Sequence, residues 1–122
     1  MMPSTPDQTV KLFAQHLSDG DLDAAVSLYD ADATFLPDPT SEVSGLEAIR
    51  EALGGFFALR PTLDADIQRV VEAGDTAMVI NDWRLHGTLP DGSPVEQAGR
   101  SADVLRRQPD GRWLILIDDP WG

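Results

Sequence analysis

The fold is decided by residues 76–119, which read TAMVINDWRLHGTLPDGSPVEQAGRSADVLRRQPDGRWLILIDD. Two turn signals, Pro90–Ser93 and Pro109–Gly111, divide this stretch into three pieces in which apolar and polar residues alternate. Alternation over such lengths, interrupted by Pro, Asp and Gly, is typical of strands joined in hairpins. The sequence therefore predicts an antiparallel meander with strands at 76–89, 94–108 and 112–119, preceded by a fourth strand at 63–71.

Three helices are predicted ahead of this sheet, because apolar residues recur there at helical spacing behind capping signals. The signals are Thr5–Gln8, Asp21 and Ser44–Glu47; the first helix ends at Gly20, the second carries Tyr29 in its apolar stripe, and the third ends at Arg60-Pro61. A short strand at Ala33–Leu36 is followed by a loop at Pro37–Ser41. The predicted order is ααβαββββ, an α+β arrangement with helices packed on a large sheet.

Length and composition limit the class of protein. The chain has 122 residues, of which 42% are hydrophobic, and we expect one domain over residues 1–122. The absence of cysteine excludes disulfide bonds, thiolate metal sites and a cysteine nucleophile. Since the sequence contains neither an apolar run of bilayer length nor a secretion signal, we expect a cytoplasmic protein.

The charge is strongly negative, with 21 acidic residues against nine basic ones and a net charge of −12. Such a chain repels phosphate, so we expect neither a nucleic acid nor a membrane as partner. Two interpretations of the charge stay open: a surface that keeps the protein dissolved, or a field that attracts a cationic ligand.

Strand alternation selects the candidate site residues. It puts Asn81 and Trp83 on the inward face of one strand, and Ser101 and Asp103 on the inward face of the next. Asp103 thereby falls among apolar neighbours, where burial raises the pKa of a carboxyl. The open alternative is that Asp103 pairs with a nearby arginine or faces solvent.

Asp38 is a second candidate, because the prolines on either side of it hold its carboxylate rigidly, as a general base requires. The same residues also make an ordinary turn. His16 and His86 fall on outward positions, and no cluster of metal ligands can be assembled from the sequence. Motifs for nucleotide binding and for a serine nucleophile are absent, so no cofactor is expected.

Six motifs spread along the chain point to a family: GDLD at 20–23, YDADAT at 29–34, DP at 38–39, GLEAIR at 45–50, GRSADVLRR at 99–107 and DGRW at 110–113. Together they resemble the NTF2-like superfamily, in its SnoaL-like and ketosteroid-isomerase-like branch. The resemblance covers nearly the whole chain. It implies a cone-shaped α+β barrel with a deep, mostly apolar pocket, and a homodimer that forms through the outer face of the sheet.

The resemblance also implies roles for particular residues. In ketosteroid isomerase, one aspartate moves a proton between carbons, and a neutral aspartate and a tyrosine hold the enolate oxygen. Asp38 resembles the first aspartate and Asp103 the second, while Phe13 stands at the place of the tyrosine. In the related epoxide hydrolases two acids flank an arginine; Asp103 and Asp119 are the matching acids here, with Ser101 at the arginine's place.

The leading hypothesis is a cofactor-free acid–base enzyme, of isomerase or cyclase type, acting on a small apolar molecule that carries a carbonyl group. Asp38 is expected to abstract a proton and neutral Asp103 to hydrogen-bond the enolate. The expected substrate-binding residues are Phe13, Phe56, Asn81, Trp83 and Ser101. The alternative is a non-catalytic ligand-binding or dimerisation module, which has the same pocket without a base. Two carboxyls that converge in a cavity favour the enzyme.

Overall fold

The structure, a computed structural model, describes residues 3–122. Within that range the chain forms three helices and six strands. The helices are α1 (Pro6–Asp19), α2 (Leu22–Val26) and α3 (Leu46–Phe57), and the strands are β1 (Tyr29–Asp38), β2 (Ser41–Ser44), β3 (Thr62–Ala73), β4 (Thr76–Thr88), β5 (Pro94–Arg107) and β6 (Trp113–Asp119). The predicted α+β class is confirmed, with one strand more than the sequence predicts.

The additional strand is β2, which lies where a loop was expected. β1 is also longer than predicted, running from Tyr29 to Asp38, so Tyr29 belongs to a strand and not to α2. Both differences follow from pairing: β1 lies beside β6 with Tyr29 opposite Ile115, and β2 pairs with β1 through Phe35 and Val43. Such pairings join segments distant in sequence, and local propensity does not reveal them.

Two of the predicted helix caps differ in detail. The Thr5 side chain makes no cap hydrogen bond; instead Gln8 Oε1 accepts from the backbone N–H of Ser4, one residue earlier than expected. The N-cap of α3 is Gly45, because the Ser44 hydroxyl pairs with Thr34 on β1 at 2.9 Å. A strand contact thus removes the serine from the helix.

One sheet contains all six strands in the order β2-β1-β6-β5-β4-β3. β1 and β6 run parallel, and every other neighbouring pair is antiparallel. Register shifts interrupt β1, β3 and the β5–β6 pair, and bulges of this kind bend a sheet. The β4–β5 pair, by contrast, runs without a shift from Thr76 opposite Arg106 to Thr88 opposite Pro94.

The helices pack on the concave face of the bent sheet, where the core lies. The predicted inward set on β4 is buried throughout, with Asn81 5% exposed and Trp83 7% exposed. The main core cluster joins α1, α3 and the sheet through Val10, Tyr29, Phe35, Ile49, Leu53, Val79, Leu105, Trp113 and Ile115. A second, smaller core cluster consists of Leu17, Trp83 and Leu85.

Candidate functional site

A cavity of about 90 Å³ lies between α1, α3 and the concave face of the sheet. Its walls are mostly apolar and include Val10, Phe13, Ala14, Leu17, Phe35, Leu53, Phe56, Leu63, Trp83, Leu85 and Trp121. Its polar lining residues are Asn81, Gln97, Ser101, Asp103 and Asp118. The five predicted substrate-binding residues all line this cavity; their role in binding stays a prediction.

Asp103 is the carboxyl on the cavity wall whose pKa is raised furthest. It is 6% exposed, the Ser101 hydroxyl lies 3.5 Å from its Oδ2, and its Oδ1 has no hydrogen-bond partner among residues 3–122. Burial raises the pKa of Asp103 well above its usual range, and the negative charge of Asp118 raises it further. The expected apolar setting is therefore present, and it favours the neutral form of the carboxyl.

No arginine neutralises Asp103 in the described part of the chain, so the ion-pair alternative is wrong. The arginines nearest to Asp103 along β5 bind other carboxylates: Arg100 pairs with Asp82 at 2.7 Å, and Arg106 pairs with Asp30 at 2.6 Å.

Asp118 on β6 is the direct neighbour of Asp103 in the sheet. It is 7% exposed, and the Tyr29 hydroxyl donates a hydrogen bond to its Oδ2 at 2.5 Å. Burial raises the pKa of Asp118, but the hydrogen bond from Tyr29 counteracts part of that rise. Tyr29 itself stays protonated, since burial and the Asp118 charge raise the pKa of its hydroxyl. The hydrogen bond from Tyr29 therefore favours Asp118 over Asp103 as the carboxyl of the pair that carries a negative charge.

Sequence reasoning missed both Asp118 and Tyr29. Strict alternation along β6 selects Asp119, but Leu105 pairs with Ile115 while Val104 pairs with Ile117, so one additional residue bulges out of β6. Such a bulge reverses which side chains face inward, and it buries Asp118 in place of Asp119. The position of Tyr29 opposite Ile115 could be inferred only from the parallel pairing of β1 with β6.

Asp38 lies away from this pair. Its side chain is exposed at the turn between β1 and β2, where its Oδ1 accepts hydrogen bonds from the Thr40 backbone N–H at 2.9 Å and the Thr40 hydroxyl at 2.8 Å. These bonds lower the pKa of Asp38. It is not among the residues that line the cavity, so the structure does not bring Asp38 and Asp103 together.

Phe13, which stands where the family resemblance implies a tyrosine, packs against the ring of Tyr29. Its ring contacts the Tyr29 ring edge-on, with centroids 5.8 Å apart. The phenol of Tyr29 thus lies behind Phe13 and reaches Asp118, while the Phe13 ring forms part of the cavity wall. One end of the cavity is closed by two tryptophans in edge contact, Trp83 and Trp121, whose indole N–H groups donate to the backbone oxygens of Pro120 and Leu36.

The remaining expectations concern histidine, metals and membranes. His86 Nδ1 lies 3.4 Å from Glu96 Oε1, and both side chains are exposed. Among residues 3–122 no group of three or more His, Asp or Glu side chains is arranged to hold a metal ion. None of the helices formed by these residues has the length and apolar character that crossing a bilayer requires.

Comparison with known proteins identifies the family. A family model described as the SnoaL-like domain matches residues 10–115. No curated protein matches the chain. An NTF2-like superfamily protein from Salmonella enterica has a TM-score of 0.81 at 18% identity, over 92% of this chain and 84% of that one. A ketosteroid isomerase-like protein from Erwinia carotovora has a TM-score of 0.80 at 18% identity, over 92% and 88%.

A third structure, an NTF2-like protein of unknown function from Shewanella oneidensis, has a TM-score of 0.75 at 20% identity, with 92% of each chain covered. At these identities the likeness establishes the fold alone. The family model is the stronger finding, since it spans most of the sequence, from α1 to β6. The chain belongs to the SnoaL-like family and has the NTF2-like fold.

Proposed function

We propose that the chain binds a small, mostly apolar molecule in its cavity and transfers a proton next to a carbonyl group of that molecule, without a cofactor. The SnoaL-like fold supports a small-molecule-binding domain. The observation that carries the catalytic part is the buried pair Asp103 and Asp118 on the wall of an otherwise apolar cavity. Carboxyls placed in this way take the roles of acid and base at neutral pH.

The two carboxyls divide these roles because they share a proton. Two neighbouring carboxylates do not both ionise in an apolar setting. Asp118 ionises more readily because the Tyr29 hydroxyl donates to it, and Asp103 retains its proton. The site therefore offers a base, Asp118, directly beside a hydrogen-bond donor, Asp103.

A carbonyl compound uses both groups. The Asp118 carboxylate takes a proton from the carbon next to the carbonyl, the C–H bond breaks, and its electron pair moves onto the carbonyl oxygen. The neutral Asp103 carboxyl donates a hydrogen bond to the resulting enolate oxygen. Asp118 then returns the proton to another carbon, which completes an isomerisation with no change in oxidation state. In this scheme Asp118 replaces Asp38 as the base, because Asp38 is exposed at a turn.

The size of the cavity limits the test substrate to about one ring. The volume of about 90 Å³ is less than the roughly 150 Å³ of an engineered cavity that encloses benzene. The present cavity is not enclosed, since its lining residues Phe13 and Phe56 are partly exposed, so part of a ring extends out of it. Cyclohex-3-enone has a single ring and is therefore the test substrate; its conversion to the conjugated cyclohex-2-enone is followed by ultraviolet absorbance.

We expect Asp103→Leu and Asp118→Asn each to lower kcat/KM for cyclohex-3-enone by about 10²–10³, because the first removes the donor to the enolate oxygen and the second removes the base. Asp82→Asn is the control, since Asp82 lies outside the cavity and pairs with Arg100. A similar loss in Asp38→Asn would restore Asp38 as the base. Wild-type turnover equal to that of both cavity variants would overturn the proposal.

A second candidate function is binding without turnover, and the exposed position of Asp38 favours it, since the base implied by the family resemblance is away from the cavity. This candidate predicts that cyclohex-3-enone binds to the wild type but is not converted. A binding titration with cyclohex-3-enone, together with the absorbance assay, therefore separates the two functions.

We further propose that two copies pair through the convex face of the sheet. A continuous apolar row crosses four strands there: Val71 lies opposite Met78, Met78 opposite Val104, and Val104 opposite Ile117. Val71, Met78 and Ile117 are 38–40% exposed, and an exposed apolar row of this kind favours an interface. The cytoplasmic location and the exclusion of nucleic acid and membrane partners stay predictions from the sequence.

A further inference from the structure

We infer that Asn81 is a specificity-determining residue that accepts a hydrogen bond from a hydroxyl group of the ligand, so that the preferred substrates are hydroxylated carbonyl compounds of about one ring. The carbonyl part of this inference rests on the proposed function; the hydroxyl part rests on Asn81 itself.

Asn81 carries an unpartnered polar atom in the cavity wall. Its side chain is 5% exposed and lines the cavity, and its Oδ1 is buried without a hydrogen-bond partner among residues 3–122. The nearby Ser101 hydroxyl does not satisfy it, because that hydroxyl donates to the Asn81 backbone oxygen at 3.3 Å. The amide oxygen thus lacks a donor among residues 3–122, and a small rotation of the side chain toward the cavity would let a ligand hydroxyl supply one.

An unpartnered amide at this position has a cost that a ligand can remove. A buried acceptor without a donor destabilises the folded state, which is why native proteins contain few of them and why such groups mark functional sites. Leucine has nearly the same shape as asparagine and carries no polar side-chain atom. The neighbours of Asn81 on the inward face of β4 are apolar, namely Val79, Trp83 and Leu85. An asparagine among them points to recognition of a polar group.

The neighbour of Asn81 defines the second half of the recognised group. Asn81 lies opposite Ser101, and Asp103 is two residues further along β5, so Asn81 and Asp103 are diagonal neighbours on the same face. Diagonal neighbours lie about 7–8 Å apart between Cα atoms, within reach of the two ends of one small ligand. Asp103 also has an unpartnered oxygen, Oδ1.

The two residues require opposite partners. A neutral Asp103 donates a hydrogen bond and thus meets a carbonyl oxygen, whereas Asn81 Oδ1 accepts one and thus meets a hydroxyl. A ligand with a hydroxyl on a carbon close to its carbonyl satisfies both residues at once. The remaining walls are mostly apolar and fit the carbon skeleton.

The test compares ligands with the same ring. Binding of 2-hydroxycyclohexanone, cyclohexanol and cyclohexanone is measured by calorimetric titration of the wild type, Asn81→Leu and Thr76→Leu. Thr76→Leu is the control because it also replaces a polar residue of β4 by leucine, but at an exposed position outside the cavity. We expect the wild type and Thr76→Leu to bind the hydroxyketone about tenfold more tightly than the ketone, the worth of one good hydrogen bond.

In Asn81→Leu the preference for the hydroxylated ligands should vanish while binding of cyclohexanone is retained. An equal ratio in the wild type and Asn81→Leu would overturn the inference. A loss of cyclohexanone binding in Asn81→Leu would overturn it as well, because it would mean that the amide presents its N–H group. If Asn81→Leu does not fold, the Asn81 side-chain amide resonances of the wild type decide: the inference requires them to shift with cyclohexanol and not with cyclohexanone.

The two proposals fail separately. If Asn81→Leu loses the hydroxyl preference but the wild type does not isomerise cyclohex-3-enone, the recognition role of Asn81 is supported and the catalytic proposal is rejected. If the wild type isomerises cyclohex-3-enone through Asp103 and Asp118 but shows no hydroxyl preference, the catalytic proposal is supported and the role of Asn81 is rejected.

Discussion

At the residue scale, the buried carboxyl of Asp103 makes stability depend on pH in a direction opposite to that of most aspartates. Its pKa is raised in the folded state, first by burial and then by Asp118. As the pH rises above the usual aspartate pKa, the unfolded chain releases this proton and the folded chain retains it. The unfolded state then binds fewer protons, so the free energy of unfolding falls with rising pH until the folded carboxyl ionises.

Replacing Asp103 removes that dependence. We expect Asp103→Asn to gain stability relative to the wild type between about pH 4 and pH 7, as measured by urea unfolding at several pH values. Asp82→Asn is the matched control. Because the hydrogen bond and charge of Arg100 lower the pKa of Asp82, we expect this variant to lose stability in the same pH range in which Asp103→Asn gains it. A wild-type stability that rises through this range relative to Asp103→Asn would mean that Asp103 is ionised in the folded state.

The cavity residues differ in how far sequence alone identifies them. Asn81, Ser101 and Asp103 follow from simple alternation because β4 and β5 pair without interruption, so inward positions stay inward. Asp118 does not follow, because a bulge in β6 shifts the alternation by one residue just before it. The sequence therefore identifies half of the carboxyl pair, and the other half depends on backbone geometry that side-chain polarity does not encode.

At the element scale, a glycine on β5 sets how close the Trp83 ring lies to the sheet. A Cβ added at Gly99 would meet the Trp83 ring at 3.0 Å, and the Trp83 indole is held by the Pro120 oxygen at 2.8 Å. We expect Gly99→Ala to push Trp83 away and to lower stability by about 1–3 kcal/mol. Thermal or urea unfolding measures this, together with a change in Trp fluorescence.

Gly55 in α3 provides the matched control. It lies within the helix, and a Cβ added there meets no atom within 4 Å. Gly55→Ala should therefore stabilise the protein by up to about 1 kcal/mol, the usual helix preference of alanine over glycine. Equal effects of the two substitutions would show that the Gly99 contact is not what limits the position of Trp83.

The elements that sequence predicts least well are those without a local signal. Strands β3 to β6 carry alternation over long runs and end at turns, so the structure agrees with their predicted positions to within about two residues. β2 has four residues and exists because Phe35 and Thr34 pair with it. The first four residues of β1 are strand because β6 lies beside them.

At the scale of the whole molecule, the convex apolar row and the net charge act against each other. Each chain carries a net charge of −12, so two copies repel, and salt weakens that repulsion. The row of Val71, Met78, Val104 and Ile117 supplies the attraction, since it has no cover within the described chain. Pairing through this face should therefore strengthen as the salt concentration rises, whereas an interface built on ion pairs should weaken.

Sedimentation of two charge variants tests the pairing. Ile117 and Leu89 are equally exposed, at 40% and 41%, but Ile117 lies in the centre of the convex row and Leu89 in the turn between β4 and β5. Ile117→Asp should convert a micromolar dimer into a monomer, because it buries a charge in the interface. Leu89→Asp adds the same charge to the chain without entering the row, so it should leave the dimer intact. Dissociation by both variants would mean that net repulsion, and not the convex face, controls assembly, and a wild type that is monomeric at all salt concentrations would rule out the dimer.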